Sequence, residues 1–155
     1  MNQPNLFQIL TSLLFASHLL LWGSESAKPV KVFILSGQSN MTGPVRDEFT
    51  KRVQEHFGKE HAVVVMRMKS GRGIRFWVAD YAQPLGRDLS TKKMSSNGQE
   101  YEPLLQAAID AAKKATFDTV GFVWMQGESD ANNRLSEVYE QSFVKLTEQL
   151  KSDLK

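Results

Sequence analysis

Twice in this chain a short apolar run stops abruptly at glycine and small polar residues. Val32-Phe33-Ile34-Leu35 runs into Ser36-Gly37-Gln38-Ser39-Asn40-Met41, and Val120-Gly121-Phe122-Val123-Trp124-Met125 runs into Gln126-Gly127-Glu128-Ser129-Asp130. A continuous apolar run bounded by turn formers suits a parallel strand covered on both faces. In open α/β sheets, ligands bind outside the carboxyl ends of such strands. The two polar tips are therefore expected to face one another across a site, with a serine displayed on the first.

The remaining pattern alternates in the way a parallel sheet requires. Residues 29–35 are predicted as the first strand and 37–43 as the loop after it. Asp47, Phe49, Val53 and Phe57 then mark an amphipathic helix stopped by Gly58. Residues 61–68 hold a second β-branched run, Ala62-Val63-Val64-Val65-Met66, which ends in the loop Lys69-Ser70-Gly71-Arg72-Gly73. Residues 74–100 read as a long connection packed over the sheet edge by Phe76, Trp77 and Tyr81. Pro103 suits a first helical turn, and Leu104, Leu105, Ala108, Ile109 and Ala112 follow at helical spacing. Residues 119–125 form the third predicted strand and 130–133 a polar, capping-prone turn. Leu135, Val138, Tyr139, Phe143, Leu146 and Leu150 mark one face of a last helix. The order strand, helix, strand, connection, helix, strand, helix predicts a three-layer α/β/α fold with a parallel sheet. The last helix has no strand to return to, so further C-terminal strands are expected to be missing.

A chain of 155 residues supports one domain. From Leu6 to Trp22 nearly every residue is apolar or small, and Glu25 is the first charged side chain. Residues 1–27 are therefore expected to be a secretory signal peptide, or an uncleaved N-terminal anchor, ahead of a domain at 28–155. His18 lies in that leader and is excluded from any site. Removing the leader raises the formal net charge of +2 by one. Such mild basicity does not suggest a nucleic-acid partner, and the basic run from Arg67 to Arg75 reads as solvated surface. There is no cysteine, so an exported domain must rely on its core rather than on disulfides.

A serine hydroxyl needs a base to take its proton as it attacks. Taken alone, Ser39 and Asn40 read more readily as helix-capping residues than as a site. The second polar tip is what favours a site. Gly37 permits a tight turn after which backbone amides can point at developing negative charge, and Gln126 offers a side-chain amide from the neighbouring tip.

Gly37-Gln38-Ser39-Asn40-Met41 after one strand, with Trp124-Met125-Gln126-Gly127-Glu128-Ser129-Asp130 after a later one, resembles the sialate O-acetylesterase-like family of SGNH hydrolases. The resemblance covers most of residues 31–153 and is weakest at 84–98. It implies a flavodoxin-like SGNH fold and serine-dependent removal of acyl groups, often acetyl esters on carbohydrates, with no cofactor or metal. It further implies that Ser39 is the nucleophile and that its own amide is one oxyanion donor. Gly71 or Gly73 would supply another donor, and Gln126 would occupy the third oxyanion position. Gln38, Asn40, Glu128 and Asp130 would order the site through hydrogen bonds, ahead of any direct proton transfer by Glu128.

The chain departs from that family at the base. An Asp-x-x-His motif is expected near the C-terminus, and nothing of that form follows Asp130. His56 and His61 are expected at the amino end of the second strand, as surface residues. Two readings follow. One is an N-terminal portion of a carbohydrate acetylesterase whose activity in this form is in doubt, with an acetylated carbohydrate as substrate. The other is a non-catalytic exported carbohydrate-binding module that retains the pocket. An incidental motif match on an α/β domain is the third and blandest reading. No stable membrane association is expected once the leader is removed.

Overall fold

A computed structural model of the protein describes residues 29–87, 89, 94–112 and 116–155, so the expected leader at 1–27 lies outside the described residues. Three strands, β1 (Val30–Gly37), β2 (Ala62–Met68) and β3 (Phe117–Met125), form one sheet in the order β2-β1-β3. Both pairings are parallel. The helices are α1 (Gly43–Phe57), α2 (Tyr101–Ala111), the short α3 (Glu128–Asn132) and α4 (Tyr139–Asp153), with 3-10 turns at Ile74–Trp77 and Ser136–Val138. The order of the main elements is the predicted one, except that the polar turn expected at 130–133 is a short helix, Glu128–Asn132, and the chain has the α/β fold with a parallel sheet.

Side-chain alternation along β1 assigns the layers. Val32 and Ile34 share a buried cluster with Leu104 and Ala108 of α2 and Leu146 and Leu150 of α4. Phe33 points the other way, into α1, where its ring meets Phe49 edge-on at 5.6 Å and stacks on Phe57 at 5.8 Å. Gly121 is the register partner of Phe33 on β3, and a Cβ there would lie 2.7 Å from the Phe33 ring. That ring is why a glycine interrupts the apolar run. Helix α1 carries Pro44 in its first turn and stops at Gly58, whose φ of 92° a side chain would resist.

Two expectations need correction. Phe76, Trp77 and Tyr81 do not cover a sheet edge. They lie in the main core with Val32 and Ile34, and Trp77 packs edge-on against Trp124 at 5.1 Å. Trp77 and Tyr81 are 1% and 4% exposed, so neither is placed to stack on a ligand. The connection returns to the core through Glu100 N–H donating to Phe76 O at 2.8 Å and Gly98 N–H donating to Arg75 O at 3.0 Å. Ile109, read as part of the apolar face of α2, is instead exposed, because the buried stripe runs through Tyr101, Leu104, Ala108 and Ala112. Among the described residues no helix is long and apolar enough to cross a membrane.

Candidate active site

The three strands end level. Gly37 pairs in register with Met68 on one side and Met125 on the other. Its φ is +133°, and a Cβ at this position would collide with the Met125 backbone, so only glycine lets β1 turn here against β3. Gln38 N–H then donates to Met125 O at 2.9 Å, while Met41 N–H closes a turn onto Gln38 O at 3.0 Å. Gln38 and Met41 are both buried. Ser39 and Asn40 are exposed between these two anchors, which is how the loop displays a serine at the carboxyl edge of the sheet.

The tip of β3 meets this loop through side chains. Asn40 Nδ2 donates to Glu128 Oε1. Gln38 Oε1 accepts from Ser129 N–H and from Gln126 Nε2, each at 3.3 Å. Gln126 Nε2 also reaches Arg72 O at 3.2 Å and Asp130 Oδ2 at 2.5 Å. Three acceptors around one amide fix its orientation, since the flipped amide would set Oε1 against a carboxylate and a carbonyl. The hydrogens of Gln126 are thus used inside the loop cluster.

Asp130 is the residue the sequence reading placed least well. Expected in a polar turn, it is fully buried. Its Oδ2 also accepts from Ile74 N–H at 2.9 Å, and a Cβ on Gly73 would lie 2.9 Å from its Oδ1. One carboxylate therefore clamps the 71–74 loop to the tip of β3, and glycine at 73 makes room for it. Burial pushes its pKa above the ordinary aspartate value, against the opposing pull of the Gln126 and Ile74 hydrogen bonds and the Arg75 charge. A second organiser was not anticipated at all. The Tyr139 hydroxyl donates to Gln126 O at 2.5 Å and accepts from Trp124 Nε1 at 2.9 Å, tying α4 to the same tip. Burial raises the Tyr139 pKa, so the hydroxyl keeps its proton for that bond.

The model of a carbohydrate esterase family, the sialic acid-specific acetylesterases, matches residues 47–155. The chain belongs to that family. The match takes in the 71–74 loop, the Gln126–Asp130 tip and α4, and it begins eight residues after Ser39. Neither the curated proteins nor the solved structures compared with the chain give a match.

In this acetylesterase-family chain the remaining candidates separate clearly. Gly71 is exposed with a φ of +68° and open space around it, whereas Gly73 is buried against Asp130. Glu128 is exposed. The two described histidines do not join the site. His61 O accepts from Lys31 N–H at the start of β1, about 20 Å from the tips at the usual rise per strand residue. His56 sits in the last turn of α1, edge-on to Phe57. Among the described residues no group of three or more histidine, cysteine or acidic side chains could hold a metal ion.

The basic run also departs from expectation. Arg67 is exposed, but Arg72 and Arg75 are half-buried and lie over the Phe76 ring, at 4.5 and 4.0 Å. Together with Arg87 they border a cavity of about 370 Å³ lined also by Gly71, Gly73 and Ser129. Sequence spacing pointed to the loop, whereas its arginines became visible as a group only once Arg87 folded back beside them.

Proposed function

We propose that the chain is built for serine-dependent removal of acetyl groups from carbohydrates, with Ser39 as the nucleophile. The observation that carries this reading is the display of Ser39 between two buried anchors at the tip of β1, against the polar tip of β3. In the reaction the Ser39 Oγ bonds to the acetyl carbon, the acetyl–oxygen bond to the sugar breaks, and the hydroxyl proton passes through a base to the departing sugar oxygen. Water then attacks the acetyl-serine and releases acetate. The Ser39 backbone N–H is the first proposed oxyanion donor. Gly71 is preferred to Gly73 as the second because it is exposed. Each such donor contributes about 3 kcal/mol to the transition state. For Gln126 to serve as the third, its amide must give up one of its three present acceptors. Gln38, Asn40, Glu128 and Asp130 hold the two tips in register.

Neither described histidine reaches Ser39. Without a base, attack by Ser39 is slowed by several orders of magnitude. Weak turnover is therefore the expectation for these residues alone. The test compares acetate release from an O-acetylated sugar by the wild-type chain and Ser39→Ala. Loss of release above background in the variant supports the assignment, and equal release in both refutes it.

The position of the two histidines also favours a second reading, a carbohydrate-binding module without turnover. It predicts saccharide binding by the full chain with no acetate release at all. The apolar run from Leu6 to Trp22 supports export in either case.

A further inference from the structure

Strand β3 has a free edge. Among the described residues it pairs with β1 alone, and none of its residues is fully buried. Met125 O is turned toward β1, where it accepts from Gln38 N–H. Backbone groups alternate in direction along a strand, so those of Val120, Phe122 and Trp124 point outward from the edge. Charged side chains and proline are the usual devices that keep such an edge from pairing. Residues 119–125 hold neither, and Asp118 is engaged by Lys31.

Beside this edge β3 and α4 enclose a groove of about 510 Å³, walled by Val120, Phe122, Thr147, Leu150 and Leu154. Helix α4 runs opposite to β3. Phe143 packs near Phe122 and Trp124, at 6.4 and 6.2 Å, whereas Leu150 and Leu154 border the groove with Phe117. Helical spacing puts Glu140, Val144, Thr147 and Lys151 on one stripe, and Thr147 and Lys151 line the groove. Val144 is 45% exposed. Glu140 and Lys151 are exposed at opposite ends of the stripe, and among the described residues neither is in an ion pair.

The stripe is complementary to its own reverse. Laid antiparallel against a second copy, it sets Glu140 against Lys151 at both ends and Val144 against Thr147 in the middle. A two-fold axis normal to the sheet produces this arrangement and, with it, antiparallel pairing of two β3 edges, the self-matching contact of an isologous dimer. A strand from another protein could use the free backbone groups, but the charges along α4 are placed for this chain's own helix. We infer that two copies join edge to edge through β3, about an axis near Phe122, with α4 packed on the partner's α4. Val120 then exchanges backbone hydrogen bonds with the partner's Trp124, and the two Ser39 tips lie at opposite ends of the joined sheet. The inference does not depend on the proposed esterase function.

The test is sedimentation of the full chain over a concentration series, with circular dichroism to confirm that each variant is folded. A reversible dimer is expected. Glu140→Lys and Lys151→Glu each set like charges against one another twice across the axis, and each should weaken the dimer about ten-fold or more. Mixing the two single variants is the sharpest arm. Each variant then meets its complement in the other, so the mixture should associate about as tightly as wild type although neither variant does so alone. Val144→Asp, at the middle of the stripe, should weaken the dimer and gain nothing from mixing with either. A monomer at every concentration would overturn the inference. So would single variants that associate as wild type, which is the result expected if residues 6–22 drive association instead. A mixture no tighter than its separate components would overturn it as well.

Discussion

The Asp130 carboxylate accepts a 2.5 Å hydrogen bond from the Gln126 side-chain amide, and the same oxygen accepts the Ile74 backbone N–H at 2.9 Å. Two loops that follow different strands are thereby held on one buried atom. Buried polar groups of this kind cost stability if left unpaired and fix a unique geometry when paired.

The ionisation of Asp130 gives a pH signature with a definite sign. Burial holds its native pKa above the unfolded value, so the folded state binds the proton more readily. Its contribution to stability therefore falls as pH rises from about 3.9 to the raised native value, and is flat above that. Asp130→Asn removes this dependence. Urea midpoints of the two proteins across that window should show the variant gaining on wild type as pH rises. A constant difference, or one of opposite slope, would contradict the raised pKa.

Tyr139→Phe leaves the Gln126 carbonyl and the Trp124 indole N–H without their shared partner. The expected cost is about 1 kcal/mol, toward the low end of the penalty for unsatisfied polar groups because both are only partly buried. Urea denaturation measures it, and a change within experimental error would show that the hydroxyl bridge adds nothing.

Gly37→Ala combines a φ of +133° with a collision against the Met125 backbone. Strain and overpacking each cost about 1–3 kcal/mol. A thermal midpoint lowered by several degrees is expected. A variant as stable as wild type would mean that the β1 tip can turn some other way.

Much of the layered fold was legible in the residues, because buried parallel strands write continuous apolar runs and their covering helices write a 3.6-residue period. The ends of strands were less visible. Ladder pairing continues through Ser36 and Gly37 in β1, and β3 begins at Phe117, ahead of the polar Asp118 and Thr119; such polar residues carry no hydrophobic signal. The family match bears out the resemblance carried by the β3 tip. The burial of Asp130 was hidden for a physical reason. An aspartate in Gly-Glu-Ser-Asp is by default a surface residue, and only the approach of Gly73 and Ile74 from 56 residues away in sequence makes it a clamp. The arginine cavity was hidden likewise, since it needs Arg87 to meet Arg72 and Arg75 across the fold.

The most direct measurement is on Ser39 itself. The wild-type chain and Ser39→Ala are reacted with 4-nitrophenyl acetate, an activated ester whose leaving group needs no acid, and mapped by peptide mass spectrometry. One acetyl group is expected on the peptide containing Ser39, released by hydroxylamine as an ester should be, and absent from the variant. Because Ser39 is exposed, its replacement should leave stability within about 0.5 kcal/mol, so the loss cannot be put down to unfolding. No ester-linked acetyl group on Ser39, or the same labelling in both proteins, would contradict its role as nucleophile.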